Sequence, residues 1–272
     1  MPQLSDLFAD VQLPTMPDVA RELIATMQDD EIPFEKVRNA IARDPALTAK
    51  LIRLANSARF GLSRQVASLD DALTLVGLNQ VRTLSLAACM AGMFKDADGV
   101  DADAFWKECM AIAGYSQWLA RTLGSDVQQS WLAGFLVRLG ELIIAQKAPE
   151  QIPAIERLPH HAGGRWEREK QLLGFSEVQV TAELARRWRF PDTIVRGLET
   201  AEDPVAAAPF CRLGGILHVS MLLAEIGLEE PKSAAETIAS LPSEIKLALQ
   251  LDSAWLAENL PPVADFVDVA IR

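Results

Sequence analysis

One stretch in the first quarter of the chain, residues 44–62 (DPALTAKLIRLANSARFGL), restricts the possible fold more than any other. Asp44 can accept backbone N–H bonds as a helix N-cap, and Pro45 suits the first helical position because no hydrogen-bond donor is needed there. Apolar residues then recur at intervals of four, three and four, at Leu47, Leu51, Leu54 and Ala58. The spacing predicts a helix with one buried face, which Asn56 and Ser57 are expected to end.

The same helical spacing recurs along the rest of the chain, and no segment alternates between apolar and polar residues as a half-buried strand would. Half of the 272 residues are hydrophobic, which is enough for a core without disulfides or metals. Gly77 suits a position with positive φ after one helix, and Asn79 is expected to cap the next. Ser176 and Gln179 have the spacing of a capping box. The sequence therefore predicts an all-α fold.

The polar loop 95–103 (KDADGVDAD) lies between two long apolar helical segments and is the best domain boundary in the chain. We predict an N-terminal helical bundle over residues 1–95 and a larger bundle over residues 96–272. The aspartates of the loop invite comparison with an EF-hand, which needs a Glu at the twelfth loop position. Counted from Asp96 that position is Lys107, so a solvated acidic linker is the better interpretation.

The net charge of −11 argues against nucleic acid as a partner, because phosphates would be repelled. The cluster Arg186-Arg187-Trp188-Arg189 is the alternative, although cations also favour a helix C-terminus for electrostatic reasons. The N-terminus lacks the features of a signal peptide, and no apolar stretch is long enough to span a bilayer. We therefore expect a cytoplasmic protein. Three widely spaced cysteines are expected to be buried free thiols, namely Cys89, Cys109 and Cys211.

Several blocks of the sequence together resemble a known family. The N-terminal blocks include a Leu-Pro…Pro entry, the Asp-Pro-Ala-Leu helix start, a Leu-Ala-Asn-Ser run and a Leu-Val-Gly-Leu turn. Their signature residues are Pro14, Pro17, Asp44, Pro45, Leu54, Asn56, Ser57 and Gly77. Weaker blocks follow at 105–106, 132–136, 173–175 and 188–191. With these blocks, the chain resembles the HDOD family, the HD-related output domains of bacterial signalling proteins.

This resemblance implies a multi-helix module in which an N-terminal bundle packs on an HD-like bundle. It also points to the HD superfamily, whose members use histidines and aspartates to hold metals for phosphohydrolysis. The expected adjacent His-Asp pair would follow residues 134–136, where this chain has Val137 and Arg138. The other ligand positions are also replaced. We call the positions where a metal ligand is expected but another residue stands the degenerate positions. They are Glu108, Val137, Arg138, Ser176 and Ser220.

The remaining histidines do not restore a metal site. His160 and His161 lie in a polar loop with no acidic or cysteine partner nearby in sequence, and His218 stands between apolar residues. We therefore expect no catalytic residues, no metal and no cofactor. Arg138 is expected to be neutralised by Glu108 or by Glu141, which lies three residues further along the same helical face. The alternative is that Arg138 points to solvent.

The function implied by the resemblance is a non-catalytic signalling or scaffold module that acts through contacts with unidentified signalling proteins. Two alternatives stay open. One is a metal-dependent phosphohydrolase of nucleotides or cyclic dinucleotides, and the other is a helical regulator that binds nucleic acid. The sequence leaves the oligomeric state open.

Overall fold

A computed structural model describes residues 4–10, 13–28, 34–56, 64–94, 97, 99–156, 163–229 and 234–267. Within these residues the structure is helical and contains no strand, which confirms the predicted all-α class. Ser57 of the predicted signature and the pair His160 and His161 lie outside the described residues.

The first six helices include the signature helix α4. They are α1 (Leu4–Asp10), α2 (Asp18–Ala25), α3 (Phe34–Ala42), α4 (Pro45–Ala55), α5 (Leu69–Leu75) and α6 (Leu78–Met93). Helix α4 packs against α3, α5 and α6 through its apolar face. Leu54 on that face is buried, as predicted.

The later helices include the long helix α7. They are α7 (Ala102–Thr122), α8 (Val127–Leu136), α9 (Leu139–Lys147), α10 (Ile152–Ile155), α11 (Gly164–Leu173), α12 (Glu177–Arg187), α13 (Asp192–Thr200), α14 (Arg212–Glu229), α15 (Ala234–Ser240), α16 (Ser243–Leu249), α17 (Ser253–Asn259) and α18 (Ala264–Val267). Helix α7 packs against α8, α14 and α18. Helix α6 packs against both α4 and α8, so it joins the early helices to the later ones. The domain boundary near residue 95 stays a prediction.

Local capping explains where the signature helix begins and ends. The Asp44 carboxylate accepts the backbone N–H of Leu47 at 3.0 Å, and Pro45 occupies the first turn, as predicted. Asn56 ends the helix, and its side-chain amide exchanges two 2.7 Å hydrogen bonds with the backbone of Val66. The signature Asn therefore fixes the returning chain against the end of α4.

The two signature prolines precede α2. Pro17 is the N-cap residue of this helix and accepts a backbone hydrogen bond from Arg21 through its carbonyl, whereas Pro14 is half-buried in the preceding segment. Their fixed φ restricts the entry of the chain into the helix.

The turn between α5 and α6 confirms one expectation and corrects another. Gly77 has a φ of +92°, the positive value expected there. Asn79 is not the N-cap of α6, because the helix already begins at Leu78 and Gly77 is its N-cap, with no side-chain hydrogen bond. The Asn79 side chain instead accepts a hydrogen bond from Arg82 at 3.2 Å.

The cysteines divide into two classes. Cys89 and Cys109 are buried free thiols, as predicted, and burial raises the pKa of Cys89 to about 12. Cys211 is only half-buried, so the prediction of burial is wrong for this residue. It lies immediately before α14, where the chain enters the helix from a turn.

Candidate functional site

The site is built around the break between α8 and α9, where the structure places Val137 and Arg138. Val137 ends α8 with its side chain buried, and Arg138 is the N-cap residue of α9. The Thr181 hydroxyl on α12 donates to the Val137 carbonyl at 2.8 Å and accepts the Gly140 N–H at 2.8 Å. These bonds hold the break directly against α12.

Gly140 allows this close approach. A Cβ atom on Gly140 would lie 2.0 Å from the carbonyl oxygen of Glu177, a separation that no side chain could occupy. The glycine therefore brings the start of α9 against the start of α12. As a consequence, the side chains of Arg138 and Glu177 meet in the interior.

Arg138 is buried, with 5% of its surface exposed, and three carboxylates surround its guanidinium group. Its Nε donates to Glu177 at 3.1 Å, one Nη donates to Glu141 at 2.6 Å, and the other forms an ion pair with Glu108. The expected neutralisation by Glu108 and Glu141 is confirmed. The alternative, an Arg138 that points to solvent, is wrong.

A second buried arginine extends the network. Arg165 on α11 donates from Nε to Glu169 at 3.0 Å, and its guanidinium lies 3.3 Å from Glu141 and 3.5 Å from Glu177. It also forms an ion pair with Glu156. We define the ionic cluster as the two arginines and the five carboxylates that they contact, namely Arg138, Arg165, Glu108, Glu141, Glu156, Glu169 and Glu177.

The sequence analysis missed Arg165 and most of its partners. The Arg165–Glu169 pair has the i, i+4 spacing of a helical ion pair, and this was the available signal. Nothing in the sequence distinguishes this pair from the many exposed pairs of the same spacing. Its burial accompanies the contacts that Arg165 makes with Glu141 of α9 and Glu177 of α12.

Carboxylates outnumber guanidinium groups in the ionic cluster, so burial opposes full ionisation. Burial raises the pKa of Glu177 to about 8, against the attraction of Arg138 and Arg165. Burial also raises the pKa of Glu169, which accepts the backbone N–H of Glu177 at 2.7 Å. The pKa of Arg138 rises well above its ordinary value because the neighbouring carboxylates outweigh its desolvation. The cluster therefore holds charged arginines and shares protons among its acids.

A cavity of about 80 Å³ adjoins the ionic cluster and has room for a few water molecules. Its wall includes Arg138, Arg165 and Glu177, together with Trp166 and Met221. Arg165 Nη2 and Glu177 Oε1 both lack a hydrogen-bond partner, although they lie in ion-pair contacts. These two polar atoms without hydrogen-bond partners thus both belong to the ionic cluster.

The five predicted degenerate positions do not converge on one point. Glu108 and Arg138 form an ion pair. Ser176 caps α12 and donates to Glu202 at 2.9 Å, and Ser220 donates to the Ile216 carbonyl of its own helix at 2.7 Å. Val137 contributes a buried apolar side chain. The matching of these positions to the metal ligands of the HD superfamily stays a prediction.

These residues do not fit a catalytic metal. A divalent cation needs deprotonated donors and an open coordination position, whereas a permanently charged guanidinium already lies among the carboxylates. In the part of the chain that the structure describes, no group of three His, Cys, Asp or Glu side chains is arranged to hold a metal ion.

His218 has an ordinary structural environment. Its Nδ1 lies 2.9 Å from the Ala201 carbonyl, and its ring packs against Trp166 with the centroids 5.3 Å apart. Burial lowers the pKa of His218, which favours the neutral form. The side chain therefore links α14 to the segment that follows α13.

The basic cluster at the end of α12 is largely neutralised by acidic neighbours. Arg186 forms ion pairs with Glu183 and Glu199, and Arg187 donates to Glu183 at 2.8 Å. This pairing reduces the positive charge available to nucleic acid.

The comparison with protein families agrees with this architecture. The model of the HDOD domain matches residues 13–204, which is more than half of the chain. The chain belongs to the HDOD family. The resemblance found in the sequence blocks is therefore confirmed, and it includes the signature residues of α4 and the segment that carries Arg138.

Solved structures share the HDOD fold over nearly the whole chain. A Shewanella amazonensis SB2B protein whose name suggests a phosphohydrolase is 28% identical, with a TM-score of 0.77 and coverage of 94% of this chain and 92% of that one. An HDOD domain protein of unknown function from Geobacter sulfurreducens is 21% identical, with a TM-score of 0.76 and the same coverage. The latter similarity concerns the fold alone.

One curated relative also matches this HDOD chain. It is an uncharacterized protein of Treponema pallidum (strain Nichols), 24% identical over 191 residues. The match takes in 67% of this chain and 36% of that protein, so the chain corresponds to about a third of its relative's length. Among the described residues, no helix has both the length and the hydrophobicity that crossing a bilayer requires.

Proposed function

We propose that this HDOD protein is a non-catalytic signalling or scaffold module that acts through contacts with other signalling proteins. The observation that carries the proposal is the environment of Arg138, whose guanidinium is enclosed by Glu108, Glu141 and Glu177. A buried arginine in this setting serves packing and helix registry rather than metal-assisted hydrolysis.

The chemistry of the ionic cluster supports this proposal. Hydrolysis of a phosphate ester by an HD-type centre needs metal ions that activate water and bind phosphate oxygens. The carboxylates that could bind a cation are instead engaged with Arg138 and Arg165. Binding of a metal by Glu177 would remove a hydrogen-bond partner from Arg138 and would require a buried carboxyl group with a pKa of about 8 to lose its proton, which is unfavourable.

The phosphohydrolase is the second candidate function. It is favoured by the name of the Shewanella amazonensis protein, which is 28% identical over 94% of this chain. The two candidates differ in a simple measurement, because a phosphohydrolase of this type requires bound metal. A regulator that binds nucleic acid is less compatible with the net charge of −11 and with the paired arginines of α12.

The test is metal analysis of the purified protein combined with hydrolysis assays on a nucleotide and a cyclic dinucleotide. We expect no stoichiometric transition metal and no turnover with added manganese. Turnover that a chelator abolishes and manganese restores would overturn the proposal. Glu108→Gln and Glu177→Gln are the controls, since activity that both variants retain in full would come from a contaminating enzyme.

A further inference from the structure

A second cavity, of about 510 Å³, lies where the start of α6 faces the start of α8. We call it the inter-helix cavity and define it by its wall, which comprises Met27, residues 76–80, Arg82, Asp126, Gln128 and Gln129. It shares none of these residues with the cavity beside the ionic cluster. Its volume falls in the range of about 300–1,000 Å³ that is typical of small-molecule sites.

Residues at the start of α6 form part of the wall of this cavity. Gly77 is the N-cap residue and makes no side-chain hydrogen bond to the helix, and apart from its chain neighbours nothing lies within 4 Å of the place where its Cβ would stand. The first N–H groups of a helix have no intrahelical acceptor, and the helix dipole makes this end electropositive. This 16-residue helix therefore offers its N-terminus without an intervening side chain.

Arg82, one turn further along α6, is the second and independent feature. Nine-tenths of its surface is buried, and its two Nη atoms donate to neutral acceptors, the Thr26 carbonyl at 2.8 Å and Asn79 Oδ1 at 3.2 Å. Its Nε has no hydrogen-bond partner. Burial lowers the pKa of Arg82, and Asp126 opposes that effect. A buried cation whose hydrogen-bond partners are neutral would be stabilised by an anion in the adjoining cavity.

The wall also contains glutamine side chains and one carboxylate. Gln80, which is equally buried, accepts a hydrogen bond from Gln128 at 2.8 Å, and two further buried atoms of this pair, Gln80 Nε2 and Gln128 Oε1, have no partner. The one carboxylate, Asp126, already accepts the backbone N–H groups of Gln128 and Gln129, both at 2.9 Å, as the N-cap of α8. Its negative charge is thus partly offset by the start of that helix.

From this arrangement we infer that the inter-helix cavity binds a small phosphate-bearing anion, with the start of α6 and Arg82 as its donors. A phosphate group accepts several hydrogen bonds at once and is suited to a helix N-terminus. The site is concave, and the chain carries a net charge of −11, so a small molecule fits better than a nucleic-acid polymer. Such a ligand would contact both α6 and α8 and would bridge the two predicted bundles.

Isothermal titration calorimetry at constant ionic strength tests the inference with inorganic phosphate, pyrophosphate and guanosine monophosphate as separate probes. We expect saturable binding of at least one probe. Arg82→Gln should weaken it by about 10- to 100-fold, because a charged hydrogen bond contributes about 1.5–3 kcal/mol. The relative affinities of the probes distinguish free phosphate from a phosphate ester.

Asp126→Asn provides the sharper test, because Asn caps a helix as well as Asp does and the fold is retained. Removal of this negative charge should tighten anion binding several-fold. Asp18→Asn is the matched control, since it removes an exposed negative charge away from the cavity and should leave the affinity unchanged. Gln80→Glu, which adds a negative charge at the cavity, should weaken binding even if Arg82→Gln does not fold.

Three results would overturn the inference. They are the absence of saturable heat for every probe, equal tightening by Asp126→Asn and Asp18→Asn, and binding of single-stranded DNA with no binding of the small probes. Each outcome is independent of the metal and hydrolysis assays, because the two cavities have no residue in common.

Discussion

Replacement of Arg138 by Met tests the ionic cluster most directly. The side chain of Arg138 is 6% exposed, and its partners Glu141 and Glu177 are 6% and 1% exposed. Met keeps much of the volume but removes the guanidinium, so Glu141 would lose a counter-ion in the interior. Glu177, whose pKa is about 8, would lose a hydrogen-bond donor. Glu108 is 25% exposed and can turn towards water, which limits its contribution.

The expected loss in the free energy of unfolding at pH 7 is about 3–5 kcal/mol, the range for breaking a buried ion pair. The lower end is favoured because Arg165 still reaches Glu141 and Glu177, at 3.3 and 3.5 Å. Combining Arg138→Met with Glu177→Gln should recover part of the loss, because a neutral amide needs no counter-ion. Urea unfolding followed by circular dichroism and by tryptophan fluorescence measures these differences, provided that both probes give one transition.

Arg186→Met is the matched control. Arg186 also contacts two carboxylates, Glu183 and Glu199, but its side chain is 52% exposed, so its loss should cost at most about 1 kcal/mol. The reasoning is refuted if Arg138→Met and Arg186→Met lower the stability equally. It is also refuted if Glu177→Gln makes the loss in the Arg138→Met background larger instead of smaller.

Three further predictions concern other buried positions. Because burial raises the pKa of Glu177 from 4.5 to about 8, the folded state retains a proton that the unfolded state releases, and this group lowers stability as the pH rises through that interval. The free energy of unfolding of Glu177→Gln, measured by urea titration, should therefore rise relative to that of the wild type from pH 5 to pH 8. A difference between the two proteins that does not change with pH would contradict the raised pKa of Glu177. Gly140→Ala should destabilise by about 1–3 kcal/mol or more, since its Cβ would meet the Glu177 backbone. Gly92→Ala in the last turn of α6 is the matched control and should be neutral or stabilising, and equal midpoints of the two variants in thermal unfolding would disprove the close approach. Leu54→Ala should cost about 2–5 kcal/mol because Leu54 is 3% exposed, and a loss below about 0.5 kcal/mol would show that its burial contributes little.

The sequence alone predicted the features that depend on neighbouring residues. The Asp44 cap and the Ser176–Gln179 capping box are confirmed because each joins atoms within three residues of one another. The pairing of Arg138 with Glu141 is confirmed for the same reason, since three residues on a helix bring side chains to one face. The prediction that Asn79 caps α6 is wrong for a reason that is also local. Gly77 is the N-cap residue of this helix, two residues before the position that the capping preference of Asn suggested.

The tertiary structure decided which of these side chains are buried together. Glu177 lies 39 residues after Arg138, and the two meet because Gly140 lets α9 approach α12. This approach joins residues that are far apart in the sequence, so no local pattern predicts it. The sequence therefore could not distinguish Arg165, which is buried, from an exposed helical arginine. The inter-helix cavity likewise exists only because the start of α6 faces the start of α8, which lies more than 40 residues further along the chain. Helical periodicity fixes which face of each helix is apolar, whereas the pairing of faces depends on the packing of the whole core.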